Sequence, residues 1–164
     1  MKKLLIIPAL AILVGCGGGG GNTPNLSIDK DLLGSWSKAC SNTVFDNQDG
    51  DNYEIQKITF QKDGTAVYKE TYYTDEACTD ATGNGTTTSG TYSAGEETIA
   101  SDGEKAKKLD IHIKDRNEYT MYRFDENKTS FFQANWGSDG SHTGTSDSDR
   151  ANNFDDDPEQ WFKN

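Results

Sequence analysis

The chain has 164 residues, of which 27 are acidic and 16 are basic, and its net charge at pH 7 is −11. This acidity argues against a nucleic-acid-binding protein, which needs a basic face, and against adsorption to anionic lipid headgroups. Leu, Ile, Val and Phe account for only 19 of residues 16–164, a share that is typical of disordered chains at high net charge. All seven Tyr and all three Trp lie in the same part, and aromatic side chains bury large areas, so a folded domain remains the expectation.

The first 15 residues have the parts of a secretory signal. Lys2 and Lys3 precede an apolar run over residues 4–14, and the small Gly15 follows it. Eleven apolar residues are too few for a membrane-spanning helix, which needs about 20. The sequence therefore predicts a signal peptide over residues 1–15 that is removed on export.

The tetrad Leu13-Val14-Gly15-Cys16 resembles the bacterial lipobox. The resemblance implies cleavage before Cys16, a diacylglycerol thioether on its sulfur, and N-acylation, with palmitate as a typical acyl chain. Two or more chains suffice for stable anchoring to a membrane. Gly17, rather than Asp, follows the cysteine, and by resemblance to enterobacterial sorting this favours the outer membrane.

Residues 16–30 are expected to be a lipidated cysteine followed by a flexible tether. Residues 17–21 are five consecutive glycines, and such a segment behaves as flexible coil. Loss of residues 1–15 leaves 14 basic side chains against 27 acidic ones, a net charge of −13. This charge favours a soluble, monomeric domain over residues 31–164.

Alternating apolar and polar residues predict strands in that domain. The clearest run places Leu109, Ile111 and Ile113 on one face, and a second places Ala66, Tyr68 and Tyr72 together. Similar runs occur at 53–60, 90–92, 119–124 and 131–136, whereas Asp157–Phe162 is expected to make one short helical turn. Turn-forming residues separate the runs at 49–50, 62–64, 82–85, 102–103 and 125–127. This spacing predicts an all-β domain, either an up-and-down antiparallel barrel or a sandwich.

Three cysteines remain after export: Cys16, Cys40 and Cys78. If Cys16 carries lipid, Cys40 and Cys78 are expected to form a disulfide in an oxidising compartment. Two free buried thiols are the alternative, since unpaired cysteine packs as a small hydrophobe. Zinc binding is disfavoured because neither cysteine has a second cysteine or a histidine nearby.

Catalytic chemistry is not readable from the sequence. His112 and His142 are the two histidines, and neither has a nucleophile at a recognisable spacing. The acidic runs at 46–51, 147–149 and 155–157 offer oxygen ligands to a hard cation, but a solvated acidic surface is the favoured interpretation. We therefore expect no enzyme, no cofactor and no metal centre.

Gly34-Ser35-Trp36, at the start of the first strand, resembles the Gly-x-Trp signature of lipocalins. Cys40, the segment 58–65, the segment 72–78 and the segment 89–92 follow in an order similar to small bacterial lipocalin-like lipoproteins. The resemblance implies an eight-stranded barrel in which the signature tryptophan, Trp36, closes the floor. It also implies an arginine packed over that tryptophan, and Arg150 is the candidate for this cation–π contact.

Two functions follow as hypotheses from the predicted barrel. The first is an outer-membrane-anchored protein, facing the periplasm, that binds a small apolar or amphiphilic ligand. The second is an interaction module, such as a periplasmic hydrolase inhibitor that acts through its loops. An apolar cavity above about 300 Å³ favours the first function, and a barrel filled by its own side chains favours the second.

Overall fold

The computed structural model describes residues 27–43, 52–114, 116–135, 143–155 and 158–164. The predicted signal peptide, Cys16 and the glycine run lie outside these residues. The described strands are β1 Gly34–Ser37, β2 Ser41–Asn42, β3 Tyr53–Phe60, β4 Thr65–Tyr73, β5 Ala81–Ile99, β6 Lys105–Ile113, β7 Arg116–Phe124, β8 Ser130–Gln133 and β9 Glu159–Lys163. A single 3-10 turn, Asp147–Asp149, is the helical element of these ranges. None of the described segments is a helix long and apolar enough to cross a membrane.

The strands form one closed antiparallel barrel. From β3 to β9 each strand pairs with the next, and β1 pairs with both β3 and β9. Eight strands therefore complete the ring, while the two-residue β2 pairs only with the end of β3. The prediction of an all-β, up-and-down barrel of about eight strands is confirmed, and the sandwich alternative is excluded.

The two-residue period of the sequence sets the inner face of the barrel. Leu109, Ile111 and Ile113 are 0%, 5% and 9% exposed, as their alternation predicts. Tight turns at Asp63-Gly64 and Asp102-Gly103 connect the strands, and both glycines have positive φ. Gly64 and Gly103 supply a left-handed backbone that other residues adopt only at a cost.

One end of the barrel is filled by aromatic side chains. Trp36, Phe60, Tyr92, Tyr122 and Phe131 are at most 2% exposed. The ring of Phe131 meets the edge of Trp36 at 5.1 Å, and Phe60 meets Tyr92 at 4.8 Å. These rings form the core despite the low content of aliphatic residues, because each aromatic side chain buries a large apolar area. We call this closed end the base.

The segment before β1 seals the base. The backbone N–H of Ala94 donates to the Ser27 carbonyl at 2.7 Å, and the Trp36 indole donates to the Leu32 carbonyl at 2.7 Å. Residues 27–30 therefore pack on the barrel, although the sequence assigned them to the tether. Ile28 packs against the core. It is the single apolar residue of this four-residue segment, so composition did not separate the segment from the glycine-rich tether before it.

Two local predictions were wrong. Glu159–Lys163 is β9, not a helical turn, because it fills the gap between β8 and β1 and satisfies the backbone groups of both edges. Residues 82–85 were predicted to be a turn but lie within the long strand β5. Gly83 and Gly85 keep positive φ there, and the β4–β5 register shifts beside them, between Thr71 and Tyr73.

Candidate ligand-binding cavity

A cavity of about 310 Å³ opens at the end of the barrel opposite the base. It lies inside the ring, where the inward side chains of seven of the eight strands meet. Its lining consists of Lys38, Gln56, Ile58, Tyr68, Glu70, Thr86, Thr88, Ile111, Ile113, Lys114, Glu118, Gln133, Glu159 and Trp161. We call its open end the mouth.

The floor of the cavity is apolar. Ile58, Ile111 and Trp161 line it and are 3%, 5% and 3% exposed. The indole of Trp161 stacks on Phe131 at 6.0 Å with an interplanar angle of 10°, so the aromatic core of the base continues into the cavity floor. This surface suits the apolar part of a ligand.

One wall carries a hydrogen-bonded polar chain. The Trp161 indole donates to Gln133 Oε1 at 3.1 Å, and the Gln133 amide donates to the Glu118 carboxylate. Lys38 Nζ pairs with Glu159 Oε1 at 2.8 Å and lies 4.9 Å from the centre of the Trp161 ring. Lys38 is therefore already paired with an acid of the same cavity.

The opposite wall carries two carboxylates on neighbouring strands. Glu70 of β4 accepts hydrogen bonds from the Tyr72 hydroxyl at 3.2 Å and the Thr86 hydroxyl at 2.8 Å. Glu54 of β3 points to the same interior, because it lies two residues from Gln56 on the same strand, and it is nearer the mouth than Glu70 because it pairs with Tyr72. Burial raises the pKa of Glu54, and the negative charge of Glu70 raises it further, whereas the hydrogen bond from Gln56 at 2.7 Å and the charge of Lys38 lower it. The two acids therefore repel each other.

The predicted disulfide is confirmed and lies at the mouth. Cys40 and Cys78 are bonded, with their Cα atoms 5.9 Å apart. Cys40 follows the mouth end of β1, and Cys78 lies in the turn that leaves β4 after Tyr73. The bond therefore ties together two rim segments that are 38 residues apart in sequence.

Trp36 and Arg150 are both buried, but they are not partners. Trp36 lies in the base with 0% exposure, and the cation over its ring is Lys163, at 5.2 Å. The Arg150 guanidinium instead lies outside the ring, where it donates to Asp110 and to the Thr120 carbonyl at 2.5 Å and 2.9 Å. The predicted Arg150–Trp36 contact is therefore wrong.

The reason is the path of the chain after β8. Residues 143–155 run along the outer surface of the barrel, and Phe154 packs there with Met121 and Ala134. Arg150 anchors this segment through its bonds to β6 and β7. A lysine at the end of β9 takes the position over the tryptophan because β9 pairs directly with β1.

The remaining candidate residues do not form a second site. His112 is on the outer face, where its ring nitrogen bonds the Asn117 amide oxygen at 3.0 Å. His142, Cys16 and the acidic run 46–51 lie outside the described residues. Within the residues described, no group of three or more His, Cys, Asp or Glu side chains is placed to hold a metal ion.

Sequence reasoning missed the polar wall of the cavity. Glu70 has the same parity as Ala66, Tyr68 and Tyr72, so alternation alone places its carboxylate on the apolar face of β4. A charged residue on the buried face of a strand was the available signal, because charges are almost never buried without a role or a partner.

The chain matches no protein-family model, and a search of the curated proteins finds no similar sequence.

Proposed function

We propose that this protein is a lipid-anchored binding module of the bacterial outer membrane whose barrel holds a small amphiphilic ligand. The observation that carries the proposal is the cavity of about 310 Å³ with an apolar floor and a polar wall. Ligand sites are typically about 300–1,000 Å³, largely apolar, with a few polar groups that fix orientation. The volume therefore suits a ligand at the small end of this range.

The position of the N-terminal segment supports access to the cavity. Ser27 and Asp29 lie against the base, so the described chain begins at the end of the barrel opposite the mouth. A lipid on Cys16 would then hold the base toward the membrane side and leave the mouth open to the periplasm. In this proposal, the membrane anchor and the cellular location are inferred from the resemblance to the lipobox.

A neutral fluorescent probe tests whether the cavity binds apolar molecules. The protein used is residues 17–164, which include every described strand, and the probe is N-phenyl-1-naphthylamine, whose emission rises in an apolar environment. We expect saturable binding of one probe per chain. Thr88→Trp places an indole in the cavity and should weaken the binding at least about tenfold.

Thr87→Trp is the matched control, because Thr87 is the neighbouring residue on β5 and is exposed. It should bind the probe like the parent. Probe binding that is absent, or that Thr88→Trp leaves unchanged, would remove the cavity as a ligand site and favour the interaction module. Native mass spectrometry of the protein purified from its own cells should show a co-purifying small molecule if the cavity is a ligand site, and none if the protein is an interaction module.

A further inference from the structure

The charges around the mouth are not balanced. The cavity lining holds two cations, Lys38 and Lys114, and three acids, Glu70, Glu118 and Glu159. Lys38 pairs with Glu159. Glu118 accepts a hydrogen bond from Gln133. Glu70 has no ion pair like that of Glu159, and its two hydrogen-bond donors are the neutral hydroxyls of Tyr72 and Thr86.

No Lys or Arg among the described residues lies within ion-pair distance of Glu70. The second acid of this wall, Glu54, accepts from the neutral amide of Gln56. The hydrogen-bond donors given to these two half-buried carboxylates are therefore neutral, and the one cation that acts on Glu54 by its charge is Lys38, which is paired with Glu159. Holding the Glu70 charge in a partly dehydrated site without an ion pair of its own costs free energy, and a cation bound beside Glu70 would recover it.

Aromatic faces lie within the same cavity. Tyr68 and Trp161 line it, and the ring of an aromatic residue attracts a cation at short range. The net charge of −11 acts in the same direction at long range, since it draws cations toward the mouth and repels anions. A ligand with an ammonium group beside Glu70 and an apolar body on the isoleucine floor would contact both the charged wall and the apolar floor of the cavity.

We propose that the ligand of this cavity is a small amphiphilic amine, whose ammonium group binds the carboxylate of Glu70 with Glu54 as its second acid. The proposal rests on the proposed function and names the class of ligand. The Tyr72 and Thr86 hydroxyls hold the Glu70 carboxylate in place, and Ile58, Ile111 and Ile113 contact the apolar body.

Three probes with the same tail and different heads test this class: n-octylamine, n-octanol and n-octanoate. Each is titrated near pH 7 into residues 17–164 carrying bound N-phenyl-1-naphthylamine, and displacement is measured. We expect octylamine to bind at least about tenfold more tightly than octanol, and octanoate to bind most weakly. Equal or tighter binding of octanol or octanoate would overturn the proposal while leaving the proposed function intact.

Glu70→Gln removes the charge and keeps the shape of the side chain. Octylamine affinity should fall about 10- to 100-fold, whereas octanol affinity should stay the same. Glu126→Gln makes the same change in net charge on an exposed turn at the base end and should leave both affinities unchanged. An unchanged octylamine affinity in Glu70→Gln would exclude Glu70 as the cation site, and loss of naphthylamine binding in the parent protein would instead reject the proposed function.

Discussion

The Asp29 carboxylate joins the segment before β1 to the strands of the base. Its carboxylate accepts from Lys107 Nζ and from the Tyr122 hydroxyl, both at 2.6 Å, and its side chain is 8% exposed. Burial alone would raise the pKa of Asp29, but the hydrogen bonds from Lys107 and Tyr122 outweigh it and hold the pKa below its ordinary value. A group whose pKa is lower in the folded than in the unfolded state stabilises the fold at pH values above its unfolded pKa.

We predict that Asp29→Asn lowers the free energy of unfolding near pH 7 by about 1–3 kcal/mol, because Lys107 loses a charged partner. The stabilisation by Asp29 is complete above about pH 4 and disappears as the pH falls through the depressed pKa. The difference between parent and variant in urea unfolding should therefore shrink as the pH is lowered below about 4. Asp31→Asn is the control, since Asp31 is 43% exposed, and it should change stability little. A difference between parent and Asp29→Asn that does not depend on pH would contradict the assignment.

At the scale of elements, the Cys40–Cys78 bond holds the rim of the cavity. It joins the chain after β1 to the β4–β5 turn, two segments that the barrel sheet does not otherwise pair. Cys78 has a positive φ of 50° within that turn, where the Asp75 carboxylate accepts the N–H groups of Thr79 and Asp80 at 3.0 Å and 2.7 Å. The turn is therefore organised by a local acid and fixed to the barrel by the disulfide.

We predict that Cys40→Ala/Cys78→Ala lowers the melting temperature by roughly 10–25 °C. Closing a loop of 38 residues is worth about 4 kcal/mol in the chain-entropy treatment, and a domain of this size loses several degrees per kcal/mol. Calorimetry gives the melting temperatures, and thiol titration of the unfolded, unreduced residues 17–164 should find no reactive sulfur. Two reactive thiols would disprove the bond, and a variant that melts within a few degrees of the parent would disprove its importance.

At the scale of the whole molecule, the barrel has two unlike ends. The base is filled by Trp36, Tyr92, Tyr122 and Phe131 and sealed by residues 27–33, whereas the mouth is open and lined by charged groups. The predicted lipid attachment precedes the sealed end. The proposed anchor therefore precedes a segment that lies at the base, whereas the proposed ligand site opens at the mouth.

We predict that the mature protein purified from membranes begins at Cys16 and carries a diacylglyceryl group and an N-acyl chain. Intact mass spectrometry would show the loss of residues 1–15 and the added lipid mass. Cys16→Ser should lack the lipid and appear in the soluble periplasmic fraction, because the glycine run that follows has no apolar surface to hold a membrane. Retention of Cys16→Ser in membranes after a high-salt wash would argue against lipid anchoring.

The sequence by itself determined the fold class, the inner faces of the strands and the disulfide. Alternation with a period of two is a local property, so Leu109, Ile111 and Ile113 on β6 could be assigned to the interior without knowing their neighbours. Pairing of Cys40 with Cys78 followed from a count of cysteines and needed no geometry.

Only the tertiary structure decided the closure of the barrel and the composition of its cavity. β9 is a strand because it pairs with the backbone groups at the edges of β8 and β1, and those edges are not part of the local sequence Glu159–Lys163. The same long-range pairing places Lys163, rather than Arg150, over Trp36. Glu54 and Glu70 lie on one wall only because the β3–β4 register makes them diagonal neighbours, and register is a property of paired strands that neither strand contains alone.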